Sequence, residues 1–409
     1  MSETVRIEAL GHAGDGIAET SDGRRFVPFT LPGETVSVEI VGNRARLIAV
    51  ETPSPDRVVP PCRHFRTCGG CTLQHMAPPP YLAWKHASVV RTLAQAGIET
   101  PVDPVVPVPG QSRRRAVFSA MKTARGMLLG FQRRGSNDIV AIEECPVLVP
   151  EIVARFGLFR ELAAIAGRPR RPVRLAVLAA DNGLDIAISG GGSPDRRMLT
   201  ALGTFGAEAD IARLTLDGQT VFFNRRPEIG AGRAALMPIA GGFVQAVAAA
   251  ESALAGIVLD HVGTAAPVLD LFAGCGTFAL RLARRAPVTA VEGEAALLAA
   301  LEEAARYARG LKAITTRRRD LFRNPVSPPE LAGYEAVVFD PPAAGARAQC
   351  EALAASRVPR VAAVSCNPAT FARDARILMD GGYRLERVVP VDQFLYSAEV
   401  ELAATFSRT

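Results

Sequence analysis

The stretch "VLDLFAGCGTFAL", Val268 to Leu280, decides the fold. An apolar run enters a turn with glycines at 274 and 276, and a second apolar run follows. A strand leading through a glycine turn into a helix is the ligand-binding corner of a doubly wound sheet, because glycine lets the backbone approach a bound molecule closely. A dinucleotide fold is the obvious alternative, but the full G-x-G-x-x-G is absent and an acidic "LD" precedes the turn. Downstream, "VTAVEG", "EAALLAALEEAARYARG", "AVVFDPP", "RVAAVSC" and "ATFARDARILMDGG" alternate apolar strands with alanine-rich helices. That alternation predicts an α/β domain built on a parallel sheet.

Acids stand at the strand ends: Glu292, Asp320 and Asp340. A carboxylate at the end of the second strand can grip two ribose hydroxyls. Three such acids around one crevice resemble the S-adenosylmethionine pocket of class I methyltransferases. In "FDPP" (339–342), an acid followed by prolines resembles the lining of the pocket where a base meets the methyl donor. Further on, "VSCNPATFARD" (364–374) puts Cys366 between an apolar strand and an Asn-Pro turn, and "DQFLYSAEVELAATF" (392–406) supplies Glu401. A buried, inert cysteine is the plain alternative for Cys366. Taken in order, these motifs resemble the RNA uracil-5-methyltransferase family over essentially the whole chain.

The resemblance implies a thiol mechanism. C5 of uracil is a poor nucleophile until a thiolate adds at C6 and makes an enolate. By this resemblance Cys366 is the nucleophile and Glu401 the base that removes the C5 proton. The cofactor contacts carried over are Gln245 in "FVQAV", Phe272 and Thr277 in "LFAGCGT", and the acids Glu292, Asp320 and Asp340. A free thiol has a pKa near 8.5, so local positive charge or hydrogen bonding should activate Cys366, and Arg373 is a candidate in sequence. The chain departs from the family at Ala343, where arginine is usual, and at Leu395, Tyr396 and Glu399, where proline and two histidines are usual. Thr277 stands where the family often has asparagine.

Four of the seven cysteines form a framework: Cys62, Cys68 and Cys71 in "CRHFRTCGGC", and Cys145 in "EECPVL". In a cytosolic protein such cysteines suggest a metal or cluster rather than disulfides. The C-x5-C-x2-C spacing fits zinc pairs poorly, and the tighter pattern of radical enzymes is absent. Three close cysteines plus a distant one can ligate a [4Fe-4S] cluster. The pattern resembles the iron–sulfur subset of the family, where the cluster shapes the RNA-binding fold; zinc or reduced thiols are the alternatives. Cys275 and Cys350 are expected to pack.

At 409 residues, with 48% hydrophobic and 22% charged residues, the chain is globular and long enough for two or three domains. No secretory pattern opens "MSETVRIEAL", and no apolar stretch reaches a membrane span. A cytoplasmic monomer is the expectation. Net charge is +6, carried by arginines at 113–115, 133–134, 168–174, 196–197, 225–226 and 317–319, with lysine only at 85, 122 and 312. Guanidinium suits phosphate contact and base stacking, so the expected partner is RNA. Three domains are expected. Residues 1–54 read as short strands broken by glycine, an OB-like β-barrel similar to a TRAM domain. Residues 55–235 read as a β-rich domain holding the cysteines, with an amphipathic helix near 78–97 that packs on the next domain. Residues 236–409 read as the Rossmann-like methyltransferase domain. Barrel and cluster together resemble the enzymes of 23S rRNA; tRNA is the alternative target, and a non-catalytic RNA-binding protein is the alternative of a different class.

Overall fold

A computed structural model describes every residue except Met1, Asp22, Pro169, Arg170 and Thr409, so Arg170 of the 168–174 run lies outside the described residues. The C-terminal sheet has seven strands in the order Ile314–Arg318, Val288–Glu292, Val268–Leu271, Ala336–Phe339, Arg360–Ser365, Glu401–Ser407, Arg384–Val391. The first five are parallel, and Glu401–Ser407 pairs antiparallel with both of its neighbours. Strands such as Val268–Leu271 and Ala336–Phe339 are buried at every position, as expected where helices cover both faces. The strand order reverses between Val268–Leu271 and Ala336–Phe339, and the crevice beyond that point is where such sheets bind ligands.

Residues 2–52 form a six-stranded sheet around a small core of Val5, Ile7, Val27, Val36 and Val38. A second seven-stranded sheet spans Arg115–Phe223, with helices Phe156–Ala166 and Arg196–Glu208 packed on one face. Its core centres on stacked Phe118 and Phe159, each burial being worth roughly 1.5–3 kcal/mol.

Two segments tie the layers together. Helix Pro78–Gln95 starts on prolines, which need no backbone partner at a first turn. Its buried stripe is Tyr81, Lys85, Val89 and Leu93, and Val89 and Leu93 join the core of the C-terminal sheet. The segment after it lies along the edge strand Arg384–Val391, with Asp103 N–H donating to Val388 O at 2.9 Å and Val106 N–H to Pro390 O at 2.8 Å. The hairpin Ile229–Leu236 contributes Ala231, Ala234 and Leu236 to the same C-terminal domain. The boundary expected at 235/236 falls inside that hairpin.

Candidate active site

Strand register brings the two key residues together. Ser365 pairs with Leu402 across antiparallel strands, so Cys366, which follows Ser365, and Glu401, which precedes Leu402, come together at the same end of the sheet. Cys366 is followed by helix Pro368–Asp380, which starts sharply because Asn367 caps it: its side chain accepts from Ala369 N–H at 3.0 Å and Thr370 N–H at 3.4 Å. Asn367 also donates to Ala343 O at 3.2 Å, fixing the thiol turn against the "DPPA" turn.

Glu401 is buried and accepts from Gln393 Nε2 at 2.9 Å. The same nitrogen donates to Gln245 Oε1 at 2.8 Å, and Gln245 Nε2 donates to Asp340 Oδ2 at 3.2 Å. Two amides thus stand between two carboxylates, each carboxylate receiving one N–H. Burial, with Asp340's charge added, pushes Glu401 up to about 8, while the Gln393 bond opposes the shift. Burial pushes Asp340 to about 7 against the Gln245 bond. A pair of carboxyls that retains a proton near neutrality suits general acid–base work.

Cys366 is itself pushed up to about 11, first by burial and then by the charges of Glu401 and Asp340. The following helix's N-terminus favours a thiolate, but desolvation and two carboxylates outweigh it. Arg373 does not activate the thiol. Its guanidinium donates to Asp374 Oδ1 at 2.8 Å and Ala344 O at 3.0 Å, because Asp374 is buried next to it and claims the charge.

The glycine turn sits beside these groups. Gly276 has φ +99°, and a Cβ there would come within 2.4 Å of Leu301 Cδ1, so only glycine fits. Glu292 is held by three amides, Gly274 N–H at 3.0 Å, Gly293 N–H at 2.6 Å and Glu294 N–H at 3.0 Å. Asp270 is fully buried, and among the described residues neither carboxylate oxygen has a partner in hydrogen-bonding geometry; burial, then Asp340's charge, pushes it well above the usual carboxylate range, opposed by the nearby Ala279 backbone. A fixed carboxylate at a strand end and an orphaned acid beneath the turn fit a ligand rich in amino and hydroxyl donors, as S-adenosylmethionine is. Phe272, at φ +56°, places its ring 5.4 Å from the half-exposed Phe322. Thr277 is half-buried, and its carbonyl accepts from Arg281 at 2.6 Å. Asp320 is half-exposed, and its Oδ1 accepts from Phe322 N–H at 3.0 Å.

The four framework cysteines line one cavity of about 430 Å³ with Arg113, Phe131, Ile142 and Leu148. Distant Cys145 arrives there through Glu144, which accepts from Arg63 N–H at 2.7 Å, and Glu143 N–H, which donates to His64 Nε2 at 3.1 Å. Each thiol is pushed up chiefly by burial, Cys71 to about 12. Among the described residues no three His, Cys, Asp or Glu groups close on a single ion. One wall of the cavity is Phe394, Leu395, Ser397 and Glu399, part of the loop leading to Glu401. Cys275 and Cys350 are buried, in the packing role expected of them.

Comparison with known proteins identifies the lineage. Residues 3–44 match the TRAM domain. The chain is 48% identical over 404 residues, 99% of its length and 97% of the relative's, to a protein of Brucella suis described as an RNA methyltransferase. It is 32% identical over 436 residues to the 23S rRNA (uracil(1939)-C(5))-methyltransferase of Chromohalobacter salexigens, covering 100% of this chain and 90% of that one. The chain belongs to the RNA uracil-C5 methyltransferase family. Its fold is that of the tRNA (uracil-54, C5)-methyltransferase of Pyrococcus abyssi, solved with S-adenosyl-L-homocysteine, at TM-score 0.78 and 23% identity over 98% of this chain and 99% of that one.

The expected TRAM-plus-methyltransferase architecture therefore holds, and the reading as a non-catalytic binding protein falls away. Several arginines of this methyltransferase are engaged within the chain itself. Arg114 is buried against Glu251, Arg225 pairs with Asp210 at 2.6 Å, and Arg319 with Glu330 at 2.6 Å. Arg115 is half-buried where it lines the cysteine cavity, its guanidinium 5.6 Å from the exposed ring of Phe243. No described helix is long and apolar enough to cross a membrane. Gln393, Phe322 and the buried pair Lys85–Asp392 are the site residues that sequence reasoning missed.

Proposed function

We propose that this methyltransferase transfers a methyl group from S-adenosylmethionine to C5 of a uridine in 23S rRNA. The observation that carries the reading is the adjacency of Cys366 and Glu401, with Gln245 and Asp340 bonded into the same group. Cys366 Sγ adds to C6 of a uracil flipped out of its stack, and the electron pair moves to make an enolate nucleophilic at C5. S-adenosylmethionine, when bound, supplies the electrophilic methyl group that C5 takes. Glu401 then removes the C5 proton, and the pair left behind reforms C5=C6 as Cys366 departs as thiolate. Gln245 and Asp340 orient the base, while Glu292, Phe272, Thr277 and Asp320 contribute to the cofactor's side of the crevice.

Three cysteines close in sequence and one distant cysteine line one cavity, a donor set that, with zinc the alternative, suits a [4Fe-4S] cluster. Cys62, Cys68, Cys71 and Cys145 would hold it; its contribution is structural, and no redox step enters the reaction. The TRAM domain and the Arg115–Phe243 pair suit flanking RNA, by phosphate contact and stacking. We read the enzyme as a cytoplasmic monomer.

The test uses labelled S-adenosylmethionine with undermodified 23S rRNA and tRNA in parallel. Label at uridine C5 of 23S rRNA is expected, lost in Cys366→Ala. Glu401→Gln should retain a covalent protein–RNA adduct. Label in tRNA alone would keep the chemistry and overturn the substrate.

A further inference from the structure

Glu401 is positioned by a loop, and that loop is fastened from outside the catalytic domain. Lys85 lies on helix Pro78–Gln95, which begins seven residues after Cys71. Its ammonium is fully buried and donates three ways: to Asp392 Oδ1, to Phe394 O at 3.2 Å, and to Glu399 O at 2.6 Å. Tyr81, one helical turn earlier, donates its hydroxyl to Asp392 Oδ1 at 2.9 Å and accepts from Tyr396 N–H at 2.9 Å. Thr72 and Leu73 N–H, directly after Cys71, both donate to Tyr396 O, at 2.8 and 3.0 Å. Segment 392–399 is therefore bonded along its length to residues 72–85, with Gln393 near its start and Glu401 two residues past its end.

The energetics make this arrangement notable. Burying both charges is costly: the lysine gives up its hydration for three protein acceptors, and among the described residues Asp392 Oδ2 has no partner at all. A bulky apolar residue in the same stripe as Tyr81, Val89 and Leu93 would cover the core without that cost. What an apolar residue lacks is the reach to two carbonyls of the catalytic loop.

We propose that Lys85 and Asp392 are positioning residues for the methyl-transfer reaction: they hold segment 392–399 so that Gln393 and Glu401 meet the substrate's C5 proton. The inference rests on the reading of Glu401 as the base. The pair acts late in the reaction. Cys366 lies on a different strand end, held by Asn367 and Ala343, and needs none of these bonds to add to C6.

The experiment compares Lys85→Met, Asp392→Asn, the double variant and Tyr81→Phe in the full-length protein. Readouts are formation and resolution of the Cys366–RNA adduct in single turnovers, kcat and KM for RNA, amide hydrogen exchange, and urea unfolding. In Lys85→Met we expect adduct formation within threefold of wild type, resolution and kcat at least thirtyfold slower, KM within threefold, and exchange protection lost at 394–400 but kept at 360–365. Tyr81→Phe, which deletes one hydroxyl, should move in the same direction by three- to tenfold and serves if Lys85→Met does not fold. The double variant separates positioning from packing. Removing both charges restores much of the unfolding midpoint, yet resolution stays slow because the carbonyls of Phe394 and Glu399 remain unheld. Recovery of resolution together with stability, or equal slowing of adduct formation and resolution, overturns the proposal. If Glu401→Gln fails to retain the adduct, the reading of Glu401 has failed instead.

Discussion

In the ligand-free enzyme Cys366 should be a sluggish nucleophile, and its reactivity should climb steeply with pH. Its thiol is pushed from an ordinary 9.0 up to about 11 by burial and by Glu401 and Asp340. Because the raised pKa belongs to an acid that is neutral when protonated, the reactive thiolate is suppressed everywhere below that value. At pH 8 the thiolate is then about one part in a thousand, against about one in ten for an unperturbed group, a difference of about 100-fold. Alkylation with iodoacetamide, followed peptide by peptide in a mass spectrometer, reads this directly and keeps Cys366 apart from the cysteines of the cavity. The rate at Cys366 should rise about tenfold per pH unit from 7 to 10 without levelling. Glu401→Gln removes one of the charges responsible, so above the range where Glu401 ionises the variant should react faster than wild type. A plateau below pH 9, or an unchanged profile in Glu401→Gln, would refute the reasoning and require an activating cation that the structure does not place beside Cys366.

Resolution of the adduct needs Glu401 ionised. Because its folded pKa is raised to about 8, that step should accelerate as pH rises through the 7–8 region, measured by quenched single turnovers. Gly276→Ala forces a side chain at φ +99° against buried Leu301 and should both lower the unfolding midpoint and weaken S-adenosylmethionine binding at least tenfold by calorimetry. Lys85→Met leaves Asp392 buried without its partner and should cost about 3–5 kcal/mol in urea unfolding; a loss under 1 kcal/mol would mean that the pair is solvated. Anaerobically purified protein should carry close to four irons per chain and lose them in Cys145→Ala, whereas one zinc per chain would remove the cluster reading.

What could be read from sequence was whatever lies within one strand and its following turn. Val268–Leu271, the Gly276 turn, Glu292, Asp340 and Cys366 each sit at the end of a short apolar strand, so a local pattern fixes both element and orientation. Glu401 was reached by family likeness, and register explains its place, because pairing of Ser365 with Leu402 is a long-range fact. Local neighbours misled where a third group intervened. Arg373 looked available to Cys366 but is held by Asp374. Much of the arginine excess is likewise matched by carboxylates far away in sequence, such as Glu251 for Arg114. Lys85 did leave a signal. In a chain with three lysines, one stands at four-residue spacing between Tyr81 and Val89, on the apolar stripe of its helix. A charge on the buried face of an amphipathic helix calls for a buried partner, even where the sequence does not name Asp392.

The position of segment 392–400 gives the cysteine cavity a consequence beyond local stability. One side of the segment walls the cavity through Leu395 and Glu399, and the other end presents Glu401 to Cys366. The bonds from Thr72 and Leu73 to Tyr396 start directly after Cys71, so a shift of Cys71 transmits to the loop through two backbone hydrogen bonds and little intervening chain. Tyr396 holds φ at +62°, a conformation costing about 1 kcal/mol or more for a bulky side chain, which persists only while such bonds over-determine it. Loss of whatever fills the cavity should therefore be felt first at Tyr396 and the base, and last at the strand end that carries the thiol. The departures at Leu395, Tyr396 and Glu399 lie in this same stretch. Leu395 and Glu399 line the cysteine cavity, but Glu399 is exposed and its charge is also felt at Cys366, so a search for altered substrate recognition belongs both here and at Ala343, beside the thiol turn.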